Sequence, residues 1–295
     1  MATFNETIQS IISSNNITAA TRALRELGLS MREIDILMSA YKLEKRNSIE
    51  NITFGVEIET INVSREEIAQ RLREAGVPCY AEGYNHTDHR DHFKCVSDAS
   101  LVASESAEVV SPILKGKAGL ETLAKVCTVL NEIGATVNKS CGLHVHFGLD
   151  KISEEQYKNI FYNYAKCESV IDSFMPQSRR NNTYCLSFRD RGDIFTRISN
   201  ASNKNDIASL FANDRYYKVN PVAYRRHNTI EFRQHSGTVE SAKILNWIEF
   251  LKSLIAYSKK NRIEVEPTTV AEIPFIKEAQ RAFYEERQQK FARAI

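Results

Sequence analysis

No apolar run in this 295-residue chain approaches the roughly 20 residues that cross a bilayer, so no membrane span is expected. The opening stretch, "MATFNETIQS", lacks a basic segment followed by an apolar one, and no signal peptide is expected from it. The six cysteines, at 79, 95, 127, 141, 167 and 185, form no CxxC pair, which predicts reduced thiols in a cytoplasmic protein rather than a zinc site or a disulfide framework. A dominant charge of one sign is also missing: the net charge is +2, so nucleic acid is not an expected partner. There is no Walker-type GxxxxGK[ST], no kinase Gly-rich loop and no GxGxxG, so any nucleotide would need a different cradle. Internal repeats and low-complexity tracts are absent too.

What is present is the material of a globular protein, 42% hydrophobic and 26% charged, enough for a substantial core. Residues 1–48 read as a helical N-terminal extension. Ile8, Ile11 and Ile12, then Ala20, Leu24 and Leu27, recur at helical spacing; "LGLS" supplies a glycine stop, and Ser30 with Glu33 opens a further helix over 31–44. Its charges are mixed, so a docking or bracing role, through a protein partner or a second copy, is expected over DNA binding. After the polar connector "KRNSIEN", strands and helices interleave over 49–295. Strands are predicted at 52–61, 79–84, 92–97, 107–112, 141–149 and 228–235. Helices are predicted at 64–75, 117–134, 153–174, 239–259 and 275–294. Ser64 with Glu67 reads as a capping box. The helix bearing Trp247, Phe250, Leu251, Leu254 and Ile255 is core packing. Residues 176–220, rich in Arg, Asn and Asp, read as long loops with short helices.

Three strands share one oddity. Successive side chains of a strand point to opposite faces. In "ITFGVEIET", Ile52, Phe54, Val56 and Ile58 make an apolar face, while Glu57 and Glu59 share the other. In "CGLHVHFG", Leu143, Val145 and Phe147 oppose His144 and His146; in "NTIEFRQH", Ile230 and Phe232 oppose Glu231 and Arg233. One such strand is an ordinary half-solvated strand, but three together are not. Carboxylates sharing a site need a cation to stay ionised. Oxygen ligands with an imidazole suit magnesium or manganese. Glu108, with Asp98 before it, offers a further carboxylate. Arg233 and the pair Arg225–Arg226 supply the positive charge that a polyphosphate beside such a metal requires. In "NHTDHRDH", His86, His89 and His92 fall in a loop, where spacing fixes no geometry; a polar active-site loop is expected there over a ligand cluster.

"FGVEIE", "DASL…AEVVSPIL", "CGLHVHFG", "RRNNTYC" and "NTIEFRQHSGT", in this order over roughly 52–258, resemble the amidoligase family of carboxylate–amine ligases with the glutamine synthetase fold. Phe93 stands where that family carries tryptophan. The resemblance implies an α+β fold: a curved antiparallel sheet, or half-barrel, flanked by helices, with active-site groups on its concave face. It implies ATP and Mg2+ (or Mn2+) as cofactors. Glu57, Glu59, Glu108, His144 and Glu231 would hold two or three divalent metals. His146, Arg225 and Arg226 would lie near the ATP phosphates, Arg233 at the transferring phosphate, and Arg179 or Arg180 at the substrate. Glu57, Glu231 and Arg233 would carry the catalysis. The reaction implied is ATP-dependent ligation of a small-molecule or peptide carboxylate to an amine through an acyl-phosphate. A loop carboxylate or His235 would serve as base. Two other readings compete: a metal-dependent hydrolase or oxygenase using the HxH pair and a glutamate, and a non-catalytic binding module on the same fold.

Overall fold

The computed structural model describes residues 17–31, 52–83 and 91–292, together with Ile11 and Ile34. The chain divides into two compact units, Met1–Asn51 and Ile52–Ile295. In the first, helix α1 (Ile17–Glu26) buries Ala20 and Leu24, and beyond its end Leu27 and Met31 are exposed. It stops where the sequence places a stop: Gly28 takes φ +89, a conformation that costs glycine little, and its N–H returns to Arg25 O at 2.9 Å. The helix expected over 31–44 lies outside the described residues apart from Met31 and Ile34.

The second unit is a mixed α+β structure built on one open eight-stranded sheet. Its elements, in chain order, are β1 (Thr53–Ile61), α2 (Arg65–Glu74), β2 (Cys79–Ala81), β3 (Phe93–Val96), β4 (Ser106–Val110), β5 (Leu114–Lys115), α3 (Gly116–Glu132), β6 (Gly142–Gly148), α4 (Glu154–Ser173), α5 (Ile194–Asn200), α6 (Lys204–Leu210), β7 (Val219–Asn220), α7 (Tyr224–His227), β8 (Thr229–Ser236), α8 (Ser241–Ser258) and α9 (Glu278–Ala292). The strand order is β2-β3-β4-β1-β6-β8-β7, with β5 also paired to β1. The described pairings are antiparallel except β2–β3, which run parallel. The six predicted strands are found. β5 and β7, two residues each, are too short for alternation to reveal.

Capping chemistry sets the helix starts. Ser64 Oγ accepts from Glu67 N at 3.2 Å at the head of α2. Ser153 and Gln156 form a reciprocal capping box at α4. The sheet's apolar face is the one alternation predicts. Phe54, Val56 and Ile58 of β1, Leu143, Val145 and Phe147 of β6, and Ile230 and Phe232 of β8 are all buried. Each contributes about 1.5–3 kcal/mol by leaving water. α4 and α8 pack on each other over this face. Tyr164 of α4 meets Phe232 with ring centres 5.7 Å apart, and Trp247 of α8 meets His235 at 5.5 Å. The opposite face carries the ionisable residues.

β8 departs from simple alternation. Leu143 lies opposite His235 and Val145 opposite Phe232, so Arg233 and Gln234 together face His144 across a β-bulge. The extra residue reverses the face of everything after it. Arg233 stays with Glu231, but His235 turns to the apolar side. There it is fully buried beside Trp247, with its Nδ1 2.8 Å from Ser236 O, and burial pushes its pKa down to about 3. His235 is therefore not a base on the ionisable face.

Candidate active site

The register aligns the ionisable groups in cross-strand rows. Glu57 of β1 lies opposite His144 of β6; Glu59 lies opposite Glu108 of β4; His146 lies opposite Glu231 of β8, which lies opposite Asn220 of β7. Directly opposed residues share a face and sit about 4.5–5.5 Å apart at Cβ. Five segments distant in sequence thus meet on one wall.

The side chains close on one another. His144 Nδ1 is 2.8 Å from Glu57 Oε2 and 3.8 Å from Glu231 Oε1, while its Nε2 is 3.5 Å from Glu59 Oε1. His146 Nε2 lies 3.3 Å from Glu57 Oε1, and its Nδ1 is 3.0 Å from Thr229 Oγ1. Arg233 Nη1 donates to Glu231 Oε1, and Asn220 Nδ2 donates to Glu231 Oε2 at 2.6 Å. Glu59 Oε2 accepts the Gly142 N–H at 2.6 Å. The strand packs closely at Gly142: a Cβ there would lie 3.0 Å from both His144 Nε2 and Arg179 Nη2, so those side chains would have to give way.

Three overlapping groups have ligand atoms all within 4.8 Å of one another: Glu57–His146–Glu231, Glu57–Glu108–His144 and Glu59–Asp98–Glu108. Glu57 and Glu108 each belong to two. Two observations fit these groups to cations. The buried Nε2 of His146 has only the Glu57 carboxylate, 3.3 Å away, and no well-aligned hydrogen bond. Burial, together with the carboxylates of Glu57, Glu59 and Asp98, raises the Glu108 pKa well above the usual carboxylate range. Oxygen-rich sets with one imidazole suit magnesium or manganese. Burial acts to raise the Glu57 pKa, but His146 and His144 beside it together outweigh burial and hold it well below the ordinary value. In Glu231, Arg233 and His146 overcome burial in the same direction. No group among the described residues unites His144 and His146.

The raised Glu108 pKa has a signed consequence. An acid whose folded pKa exceeds its unfolded value of about 4.3 stabilises the fold when protonated. That contribution is complete below the unfolded pKa and is lost as pH rises through the folded pKa. At pH 7 without metal, Glu108→Gln is therefore expected to raise the melting temperature, by about 2–4 °C for each ~1 kcal/mol of repulsion relieved. The gain should vanish near pH 4. Differential scanning fluorimetry across pH checks both parts.

The wall lies between two cavities. One, of about 290 Å³, is lined by Gly55, Glu57, Lys94, His146, His227 and Thr229, among others. The other, of about 430 Å³, is lined by Glu59, Asp98, His144, Arg179, Arg215, Tyr216 and Arg233, among others. The second is the arginine-rich one. Two of its guanidinium groups lie over the Tyr216 ring, with Arg215 Cζ at 4.9 Å and Arg233 Cζ at 5.6 Å from the ring centre.

Not every residue expected at the site reaches it. Glu57, Glu59, Glu108, His144, His146, Glu231 and Arg233 converge, and Arg179 lines the second cavity. Arg225 and Arg226 do not converge with them: both are exposed on α7, and Arg225 is engaged by Tyr224 Oη at 3.0 Å and Asn213 Oδ1 at 2.8 Å. The cause is local. α7 is a single turn closed by Asn228 at φ 50, which brings His227, Asn228 and Thr229 to the first cavity instead. Arg180 is turned back onto Met175 O at 3.1 Å and lines neither cavity. His86 and His89 lie outside the described residues; His92 lines the first cavity. Sequence reasoning gave Asp98 no role and overlooked Lys94 and Asn220. Alternation within "FKCV" puts Lys94 on the face opposite Phe93 and Cys95, and was the available signal.

A family model described as "Putative amidoligase enzyme" matches residues 50–255. No curated protein matches the chain. Among solved structures, the chain is similar to a bifunctional glutathione synthetase from Pasteurella multocida. That match has 12% identity and a TM-score of 0.37, and covers 86% of this chain and 48% of that one. The chain thus spans about half the length of that protein. The matched stretch runs through every strand that carries the ionisable face, and on that match the chain belongs to the amidoligase family.

Proposed function

We propose that this protein is an ATP-dependent carboxylate–amine ligase, built on a half-barrel sheet of the glutamine synthetase type. The observation that carries the reading is the set of three overlapping acid–histidine groups on one sheet face, lying between two cavities with Arg233 beside them. Family membership supports the reaction class.

In this reading, Glu57, Glu59, Glu108, His144 and Glu231, joined by His146, would hold Mg2+ or Mn2+. The bound ions would neutralise phosphate charge. The triphosphate enters from the first cavity, where Lys94 and His146 face it, and the acid and amine enter from the second. A carboxylate is a poor electrophile toward an amine. One of its oxygens therefore attacks the γ-phosphorus, ADP leaves, and an acyl-phosphate results. The amine then attacks the acyl carbon, expelling inorganic phosphate and giving the amide. Arg233 remains cationic, since Glu231 and Glu57 outweigh its burial, and lies where charge builds on the transferring group. The amine proton passes to a carboxylate in the second cavity. Asp98 serves: its Oδ1 is fixed by the Ser100 N–H at 2.7 Å.

The mechanism has an isotopic signature. Acid substrates labelled with 18O in the carboxylate should transfer one label to inorganic phosphate per turnover, read by mass spectrometry of the phosphate. Amide formation with unlabelled phosphate rules the mechanism out.

A further inference from the structure

We propose that Arg179 is a positioning residue for Arg233, and not a group that binds substrate. The bulge at Arg233–Gln234 leaves part of the β8 backbone without its regular ladder partners. Buried backbone groups must be paired elsewhere, and Arg179 does the pairing: its Nη2 donates to Arg233 O and its Nε donates to Gln234 O at 3.4 Å. Nε and Nη2 form the edge of the guanidinium fork that would grip a carboxylate in two-point fashion. In Arg179 that edge is spent on two consecutive carbonyls of its own chain. The residue is only 3% exposed, so both bonds are shielded from water.

The rest of the bulge is held with equal care. Arg233 N donates to Lys218 O at 2.8 Å. The Gln234 side chain accepts from Tyr164 Oη and donates to Asp172 Oδ1. With the backbone on both sides of its Cα fixed, the Arg233 guanidinium is aimed at Glu231 and the cation groups. Arg179 itself is seated by the 3-10 turn Gln177–Arg179 and by its N–H to Pro176 O at 2.9 Å. Its fork has the shape for two neighbouring carbonyls, which a lysine ammonium lacks.

The kinetic arm of the test rests on the ligase reading; the exchange arm does not. In full-length Arg179→Lys, which keeps the charge and loses the fork, amide hydrogen exchange over 229–236 should accelerate by about tenfold or more. The kcat of acid-dependent phosphate release should fall by about 10²-fold, as for a displaced catalytic group, while the KM for the acid stays within about twofold of wild type. Arg179→Gln, isosteric along most of its length, serves if the lysine variant does not fold. Arg189→Ala, which breaks only an exposed ion pair with Glu266, should change neither quantity. Unchanged exchange over 229–236 overturns the proposal, as does an acid KM raised about tenfold at constant kcat, the mark of a substrate ligand. Wild-type protein without ATP turnover would remove the ligase reading alone; the exchange result would still decide the place of Arg179.

Discussion

Glu57→Gln is expected to reduce metal-dependent ligation by about 10³-fold or more, with the far-UV circular dichroism unchanged. The carboxylate contributes to two of the three cation groups and contacts both histidines, His144 at 2.8 Å and His146 at 3.3 Å. Loss of one group that orients metal ligands costs 10–100-fold in affinity or activity, and loss of one donor at a developing charge costs about 10²–10³-fold. A residue that lies in two candidate metal positions combines such losses. The amide keeps the size of the side chain and the single-residue geometry of β1, so the apolar face of Phe54, Val56 and Ile58 is untouched. Phosphate release under saturating ATP and Mg2+, beside a Mn2+ titration followed by electron paramagnetic resonance, separates lost affinity from lost turnover. Near-normal activity in Glu57→Gln would remove the metal groups from the mechanism.

Lys218→Met is expected to give the largest loss of stability. Lys218 is fully buried, and its Nζ lies 2.7 Å from Glu168 Oε1 and 2.7 Å from Asp172 Oδ1. Glu168, itself fully buried, also accepts from Ser187 Oγ at 2.6 Å and Phe188 N at 3.2 Å. A buried ion pair adds little over a well-packed apolar substitute, but removing one partner strands the other, at a cost of about 3–5 kcal/mol. Methionine fills most of the volume and leaves two acids without their cation. At about 2–4 °C per kcal/mol, the melting temperature should drop by roughly 10 °C. Burial already raises the Asp172 pKa against the pull of Lys218, so in the variant the remaining stability should be greatest at acidic pH, where the stranded acids are protonated. Adding Glu168→Gln should recover part of the loss. Urea unfolding of the two variants measures this, and a Lys218→Met unfolding free energy within about 1 kcal/mol of wild type would contradict it.

Alternation carried most of what could be read in advance. β1 and β6 are regular, so Glu57, Glu59, His144 and His146 fell on the face that period two assigns them. The same rule failed within β8, because a bulge adds one residue without marking the sequence: "FRQH" reads as an unbroken strand, and only the pairing of Leu143 with His235 reveals the slip. Arg225 and Arg226 lie apart from the converging groups for a related reason. A one-turn helix ended by a left-handed Asn228 points its residues by geometry that no periodicity over four positions encodes. The Lys218–Glu168–Asp172 cluster was silent because its members come from α4 and from the chain just before β7, 46 to 50 residues away. Asp98 was visible as a loop acid, but its meeting with Glu59 and Glu108 depends on the β3–β4–β1 register, where Val96 faces Glu108 and Glu108 faces Glu59.

The row of acids and imidazoles is a partition as much as a binding surface. Because Glu57 and His146 line one hollow while Glu59, His144 and Arg233 line the other, a charge removed anywhere along the row alters the electrostatics of both hollows at once.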